Sequence, residues 1–514
     1  MSGRNRITTI CAIAFALVAA PIGLRAHRQP SALDRPVFTT LFTFDYTDGS
    51  YPLAGLVQAA DGNLYGATTQ TSSGNSGTIF RITPLGILTN LSNLSNGVEG
   101  AEANTLIQAT DGSLYGTARN GGANTNGMEC PNGCGTVFRM TTGGKVTTLY
   151  NFCETLSNGV CADGSSPDAG LVETTDGNLY GTTTYGGSAT CYDGCGTVFR
   201  ITRSGVLTTL YSFCSQPNCT DGNSPGVGPL LQATNGILYG TTSIGGTHSE
   251  NCGGAGCGTV YRISPAGRFT SLYSFCSQSG CPDGDGPVAG LIQATNGQLY
   301  GTTDGGGSSN CPNGCETVFT ITLGGQVTTL HTFDNADGFS PHALVQGSDG
   351  NFYGTTDRGG SNDNCSDGTT CGTIFKMTPD GTLTTLHDFD PSGYYPFAGL
   401  TQDTDGAFYG TTNQGGDSMI TYGCCGTVFR ISVGLGPFVE TNPAAGNVGA
   451  NVGILGTNLN GATGVKFNGT ETAFRVVSSS FIEAKVPSGA TTGTVTVQLP
   501  GGTLSSNVPF IVLP

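Results

Sequence analysis

An all-β fold is what the sequence predicts: a seven-bladed β-propeller of four-stranded blades followed by a small β-sandwich. Three observations predict it. Glycine supplies 84 of the 514 residues and charged residues only 11%, which suits many short strands joined by turns better than packed helices. The pattern Leu-Tyr-Gly-Thr, or a near variant, recurs with its tyrosine at Tyr65, Tyr115, Tyr180, Tyr239, Tyr300, Tyr353 and Tyr409, at intervals of 50 to 65 residues. Finally, the last repeat lacks one strand, and a spare strand of the same kind precedes the first.

Each repeat reads as four strands. The first is short and apolar, as in residues 289–294, and ends in Asp-Gly or Asn-Gly, dipeptides that favour a pair of positive-φ residues in a tight hairpin turn. The second is the Leu-Tyr-Gly-Thr-Thr segment. A variable loop leads to the third, Gly-Thr-Val-Phe-Arg-Ile-Thr at 196–202 and its equivalents, where Glu316 once replaces the glycine. A short Gly turn leads to the fourth, as in residues 206–213. The final repeat stops after its third strand at Ser432, whereas residues 37–44 match a fourth strand such as 383–389. The N-terminal segment is therefore expected to complete the last blade, which pairs the edges an open array would leave exposed. A β-helix predicts neither the tight turns nor this exchange.

Over residues 37–433 the repeats resemble the GloVer tandem repeats of secreted bacterial proteins, as in Asp349-Gly350-Asn351-Phe352-Tyr353-Gly354-Thr355-Thr356, Gly359-Gly360 and Gly372-Thr373-Ile374-Phe375-Lys376-Met377-Thr378. The resemblance implies an extracellular repeat protein and brings no activity with it. From residue 437 to 514 the pattern changes. Asn442-Pro443-Ala444-Ala445-Gly446, Ile454-Leu455-Gly456-Thr457-Asn458-Leu459 and Val465-Lys466-Phe467-Asn468-Gly469 resemble the IPT/TIG immunoglobulin-like fold. Apolar alternation between Gly and Pro turns independently argues for a β-sandwich there.

Residues 1–26 read as a signal peptide, with Arg4 and Arg6 before an apolar run and small residues at Ala19, Ala20 and Ala26 for cleavage after Ala20 or Ala26; the run is also long enough for an uncleaved anchor. No later segment is expected to span a bilayer, so the protein is expected to be secreted or held at the cell surface. Of 19 cysteines, Cys11 falls in that segment and the rest form close pairs: Cys130-Cys134, Cys153-Cys161, Cys191-Cys195, Cys214-Cys219, Cys252-Cys257, Cys276-Cys281, Cys311-Cys315, Cys365-Cys371 and Cys424-Cys425. Loops hold two or none, which favours disulfides within each loop after export. Half-zinc spacings occur too, but the pairs are assigned to different blades without nearby histidines, so no metal is expected.

Strand alternation puts both long connections of each blade, and with them every cysteine pair, on one face. The Asp-Gly turns emerge on the other. Loops on a rigid ring are where binding resides. The candidate ligand-binding residues on that face are Asp48, Asp163, Asp221, Asp283 and Asp337, each in an Asp-Gly step shortly before a proline, with Tyr394 and Tyr395. No cofactor is expected; Ca2+ at those aspartates competes with each carboxylate capping its own turn.

A net charge of −16 argues against nucleic acid. No nucleophile elbow, zinc-protease helix or phosphate loop is present, so no catalytic residue is assigned. His331 and His387 occupy the fourth-strand position of Tyr150, Tyr211 and Tyr273 and read as packing groups. The leading functional expectation is a non-catalytic protein that binds a glycan or protein through the loop face. Alternatives are a carbohydrate-active hydrolase or lyase with carboxylates at the channel mouth, and a purely structural surface component.

Overall fold

The computed structural model describes residues 35–72, 77–94, 97, 99–126, 130–226, 228–248, 252–307, 315–365, 370–416 and 425–513. The signal segment expected at 1–26 lies outside them. The described residues are all-β apart from one short 3-10 turn at Pro217–Cys219.

Seven antiparallel sheets follow one another around a central channel, three of four strands and four in which two short segments, rather than one, pair with the second strand of the repeat; their third strands run from Thr78–Ile82 to Thr427–Ser432. The seventh takes its outer strand from the beginning of the chain. Val37–Thr43 pairs antiparallel with Thr427–Ser432, from Val37 opposite Ser432 to Thr43 opposite Thr427. The pairing skips Leu41, as the second blade's pairing skips Leu149. The carbonyls of both leucines meet the turn glycine of the following blade, Gly86 and Gly205, within 2.8 Å of where a Cβ would sit. The N-terminal segment thus carries the bulge and the neighbour of a genuine fourth strand.

Two side-chain rings close the circle. After the fourth strand of every blade but the first, where Leu94 takes the place, an aromatic packs edge-on against the third-strand aromatic of the next blade: Phe152 on Phe199 at 5.2 Å, Phe213 on Tyr261 at 5.2 Å, and across the closure Phe44 on Phe80 at 5.3 Å. On the turn face a first-strand Gln accepts from a backbone N–H of the preceding blade. Ala60 donates to Gln108 at 2.7 Å, Thr175 to Gln232 at 3.0 Å, and Thr404 of the last blade to Gln58 of the first at 3.1 Å.

The Asp-Gly turns differ from expectation in one respect. Gly62 and Gly112 each take φ of +78°, but the preceding aspartates stay out of the left-handed region. The turn closes one residue earlier than a two-residue hairpin, with Gly62 donating to the Ala59 carbonyl at 2.9 Å. The aspartate does a separate job: the repeat tyrosine donates to it, Tyr65 to Asp61 at 2.8 Å and Tyr180 to Asp176 at 2.8 Å. Turn and second strand are therefore locked by one motif.

Tyr261 stands where the other blades carry Phe, and its hydroxyl is fully buried with no hydrogen-bond partner. Such a hydroxyl has lost water and gained nothing. Tyr261→Phe is expected to raise stability by about 1 kcal/mol in chemical denaturation; an unchanged or lowered midpoint would contradict this.

The C-terminal segment forms an immunoglobulin-like sandwich. One sheet contains Val439–Asn442, Asn451–Gly456, Phe481–Lys485 and Phe474–Val476, and the other contains Gly464–Phe467 and Val495–Leu499. Val452, Ile454, Val465, Phe467, Ile482, Val495, Val497 and Phe510 fill its core. It docks on the turn face: Ser480 donates to the Ala60 carbonyl at 2.8 Å and Asn442 to that of Gln108 at 2.9 Å. Leu455 and Glu440 face Leu56, Gln58 and Gln108 across a 360 Å³ cavity at that end of the channel. The loop face stays uncovered by this domain.

Candidate functional site

The channel is a poor site in itself. Its 250 Å³ cavity takes residues from all seven blades, but mainly small ones, with Ala54, Ala169, Ala289, Ala343 and Ala398 repeating around it. Its ionisable groups are Asp168, bound by Arg119 at 3.1 Å and by Thr184 at 2.6 Å, and His342, whose buried imidazole is pushed down to about 4 by loss of water.

The aspartates singled out from sequence serve their own loops. Asp163, Asp221 and Asp283 are buried. Tyr150, Tyr211 and Tyr273 donate to them at 2.8, 2.6 and 2.6 Å, and loop N–H groups such as those of Ser215 and Ser277 add further bonds. In the next blade His331 takes the tyrosine's place, 2.8 Å from Asp337, and this bond holds the Asp337 carboxyl below its ordinary range despite burial. Asp48 accepts from the Asp45 N–H at 3.1 Å. Tyr394 and Tyr395 are buried against each other at 4.7 Å, and Arg358 lies over the Tyr395 ring at 5.6 Å.

A different set of carboxylates gathers at the loop-face end of blades five and six. Thr303 pairs with Thr317, so Asp304 and Glu316 stand on neighbouring strands just beyond that pair. Asp285 pairs with Gly305 on the other side, and its carboxylate lies over the space that a Gly305 Cβ would take. From blade six, Asp357 lies between Thr356 and Arg358, opposite Ser340. Three strands of one blade and one of the next thus converge on four acids.

Their electrostatics are unusual for surface loops. Glu316 is 1% exposed and Asp357 is 6% exposed, and each has one oxygen without a hydrogen-bond partner. Burial, with Asp304 and Asp285 nearby, pushes Glu316 up to about 7. Burial and Asp304 push Asp357 up to about 6 against the opposing pull of Arg358, 3.7 Å away. Asp285 and Asp304 are raised by burial and by their acidic neighbours.

The sequence carried a signal for this site: Glu316 breaks the third-strand glycine rule, and Asp304 and Asp357 replace Thr184 and Ser243 of other blades. What periodicity did not reveal is that these departures meet. Between about pH 4.5 and 7 the folded chain keeps a proton on Glu316 that the unfolded chain has lost, so stability falls as pH rises through that window. Glu316→Gln is expected to stabilise the protein by on the order of 2 kcal/mol at about pH 8 and to leave it unchanged at about pH 4. Equal melting shifts at both pH values would contradict the assignment.

Cysteines supply the second feature of this face. Among the described residues seven local disulfides have both partners: 130–134, 153–161, 191–195, 214–219, 252–257, 276–281 and 365–371. Cys315 and Cys425 are also disulfide-bonded, and their expected partners Cys311 and Cys424 lie outside the described residues. The expectation that the pairs sit apart on different blades needs correction. The loop after the second strand and the loop after the fourth meet above the same blade, so Cys130-Cys134 lies against Cys153-Cys161, and Cys191-Cys195 against Cys214-Cys219.

The model of the Gloeobacter/Verrucomicrobia repeat matches residues 31–155, 127–314 and 308–462, which together span most of the sequence. The chain belongs to the Gloeobacter/Verrucomicrobia repeat family. An IPT/TIG domain matches at 438–512, in register with the sandwich. No curated protein matches the chain. Among solved structures, a fungal alcohol oxidase of the AA5 family, described in complex with copper, is similar over 93% of this chain and 99% of its own at 13% identity and a TM-score of 0.52. The extracellular domain of a hybrid two-component system of B. thetaiotaomicron aligns over 93% of this chain and 58% of its own at 11% identity and a TM-score of 0.47. At such identities the oxidase likeness speaks to the fold, a β-propeller, and to nothing finer. Gloeobacter/Verrucomicrobia repeats, an IPT/TIG domain and many disulfides together suit an extracellular repeat protein. No helix among the described residues is long and apolar enough to cross a membrane.

Proposed function

We propose that this Gloeobacter/Verrucomicrobia repeat protein is a non-catalytic extracellular binder. It takes a protein or glycan partner on the loop face, and the carboxylates of blades five and six accept a positively charged group of that partner. The observation that carries this reading is Glu316, buried with an unpaired oxygen beside Asp304 and Asp285, with Asp357 in turn next to Asp304. Such a set is costly to hold without a cation, and a bound cation removes that cost. The net charge of −16 favours encounter with a basic partner, and the C-terminal sandwich occupies the opposite face.

The test immobilises the mature full-length chain and measures binding of Lys- and Arg-bearing peptides and of a glycan array, with hydrolysis assays on the same glycans. Salt-sensitive binding weakened about tenfold or more by Asp304→Asn with Asp357→Asn supports the proposal. Binding indifferent to those changes removes the cluster from it.

One observation favours a second reading, a carbohydrate-active enzyme: an acid that keeps its proton near neutrality beside other carboxylates is the arrangement of a glycosidase pair. Glycan turnover lost in Glu316→Gln would establish that reading in place of the first.

A further inference from the structure

The four sulfurs of Cys130, Cys134, Cys153 and Cys161 all lie within 4.8 Å of one another, as do those of Cys191, Cys195, Cys214 and Cys219. Sulfurs of different disulfides reach contact, with Cys191 Sγ 3.5 Å from Cys214 Sγ. All four cysteines of the blade-two group are buried, Cys134 and Cys161 completely. Blade four repeats the arrangement with Cys252, Cys276 and Cys281 within the same limit.

The sulfurs are not what brings the two loops together. A backbone hydrogen bond clamps them in every case: Ser166 donates to the Cys134 carbonyl at 2.9 Å, Ser224 to that of Cys195 at 3.1 Å, and Gly286 to that of Cys257 at 2.9 Å. These bonds survive cleavage of the disulfides, and the flanking strands belong to the closed ring. Reduction therefore leaves four thiols converging on one point.

We propose that the paired disulfides of blades two and three are the oxidised form of two four-thiolate metal sites, each of which holds one Zn2+ when reduced. A tetrahedral zinc–thiolate centre has metal–sulfur bonds of about 2.3 Å, hence sulfurs roughly 3.8 Å apart. Breaking the bond within each pair lets its sulfurs separate toward that spacing, while the contact between pairs is already there. With a phosphine reductant, each disulfide takes two electrons and becomes two thiols, and the phosphine leaves as its oxide with oxygen from water. Four thiols then bind Zn2+ and release four protons. In the reverse direction, an oxidant of the peroxide or disulfide class removes four electrons per site, two S–S bonds form and Zn2+ departs.

The experiment reduces the mature full-length chain with a phosphine under argon and titrates it with Co2+, whose sulfur-bound tetrahedral form has intense d–d and charge-transfer absorption. At least two equivalents with that spectrum are expected, displaced by Zn2+ and lost on reoxidation. Cys130→Ser and Cys191→Ser should each remove one equivalent, whereas Cys365→Ser with Cys371→Ser, at a pair outside these clusters, should remove none. Absence of the tetrahedral sulfur spectrum, titration unaffected by Cys130→Ser and Cys191→Ser, or loss of the native circular dichroism on reduction alone would each overturn the proposal.

Discussion

A chain beginning at Asp45, without residues 37–44, is expected to lose the cooperative melting of the full-length protein and to self-associate. The deletion removes every ladder partner of Thr427–Ser432 in the closing pair. It also removes Phe38, stacked on His387 at 3.8 Å, and Phe44, packed on Phe80 of the first blade. The loss is on the order of 5 kcal/mol or more, from Phe38, Phe42 and Phe44 and a strand's hydrogen bonds. A bare edge of Val428, Phe429 and Ile431 would then face solvent and invite pairing between molecules. Size-exclusion chromatography and calorimetry read both effects. A peptide of residues 37–44 added in trans should restore the transition, because strand addition needs only an open edge. A truncated chain that stays monomeric and melts with the full-length protein would show that the ring does not depend on this strand.

Ring closure was legible because strand exchange leaves a one-dimensional trace: a missing strand at one end of the repeat and a matching one at the other. The fourth-strand histidines were legible for the same reason, since His331 and His387 fall on a repeat position filled elsewhere by tyrosine. Features that depend on two repeats, or two loops, meeting in space were not. Asp304 and Asp357 lie 53 residues apart in the sequence, a repeat length, and nothing local says that blade five leans its acids toward blade six. In sequence each cysteine pair belongs to its own connection, which by itself predicts separate blades. Register, which brings the second-strand and fourth-strand loops over one blade, decides that they touch. Docking of the sandwich on the turn face rests on Ser480 and Asn442, polar residues of a kind common on any surface, so no pattern announced it.

The glycine of Leu-Tyr-Gly-Thr carries the other large expected effect. At Gly181 an added Cβ would lie 2.6 Å from Phe199 Cζ and 2.9 Å from Leu171 Cδ2, and Gly66, Gly116, Gly301, Gly354 and Gly410 are equally pressed by a ring from the third strand. The glycine therefore recurs in the repeat because of space: the tip of the third-strand ring presses on it, and the same ring meets the aromatic of the preceding blade. None of these glycines has positive φ, so substitution brings overlap without backbone strain. Gly181→Val is expected to cost about 3 kcal/mol, because Phe199 is also held by Phe152 and has nowhere to retreat. Gly177, with φ of +77° and nothing near its missing Cβ, supplies the opposite control. Gly177→Ala meets backbone strain alone, about 1 kcal/mol. Pairing Gly181→Val with Phe199→Leu should recover part of the loss, a coupling that denaturation midpoints of the four variants in the cycle would measure. Strictly additive losses would mean that the ring and the glycine do not meet as described, and the inter-blade packing built on that ring would need a different basis.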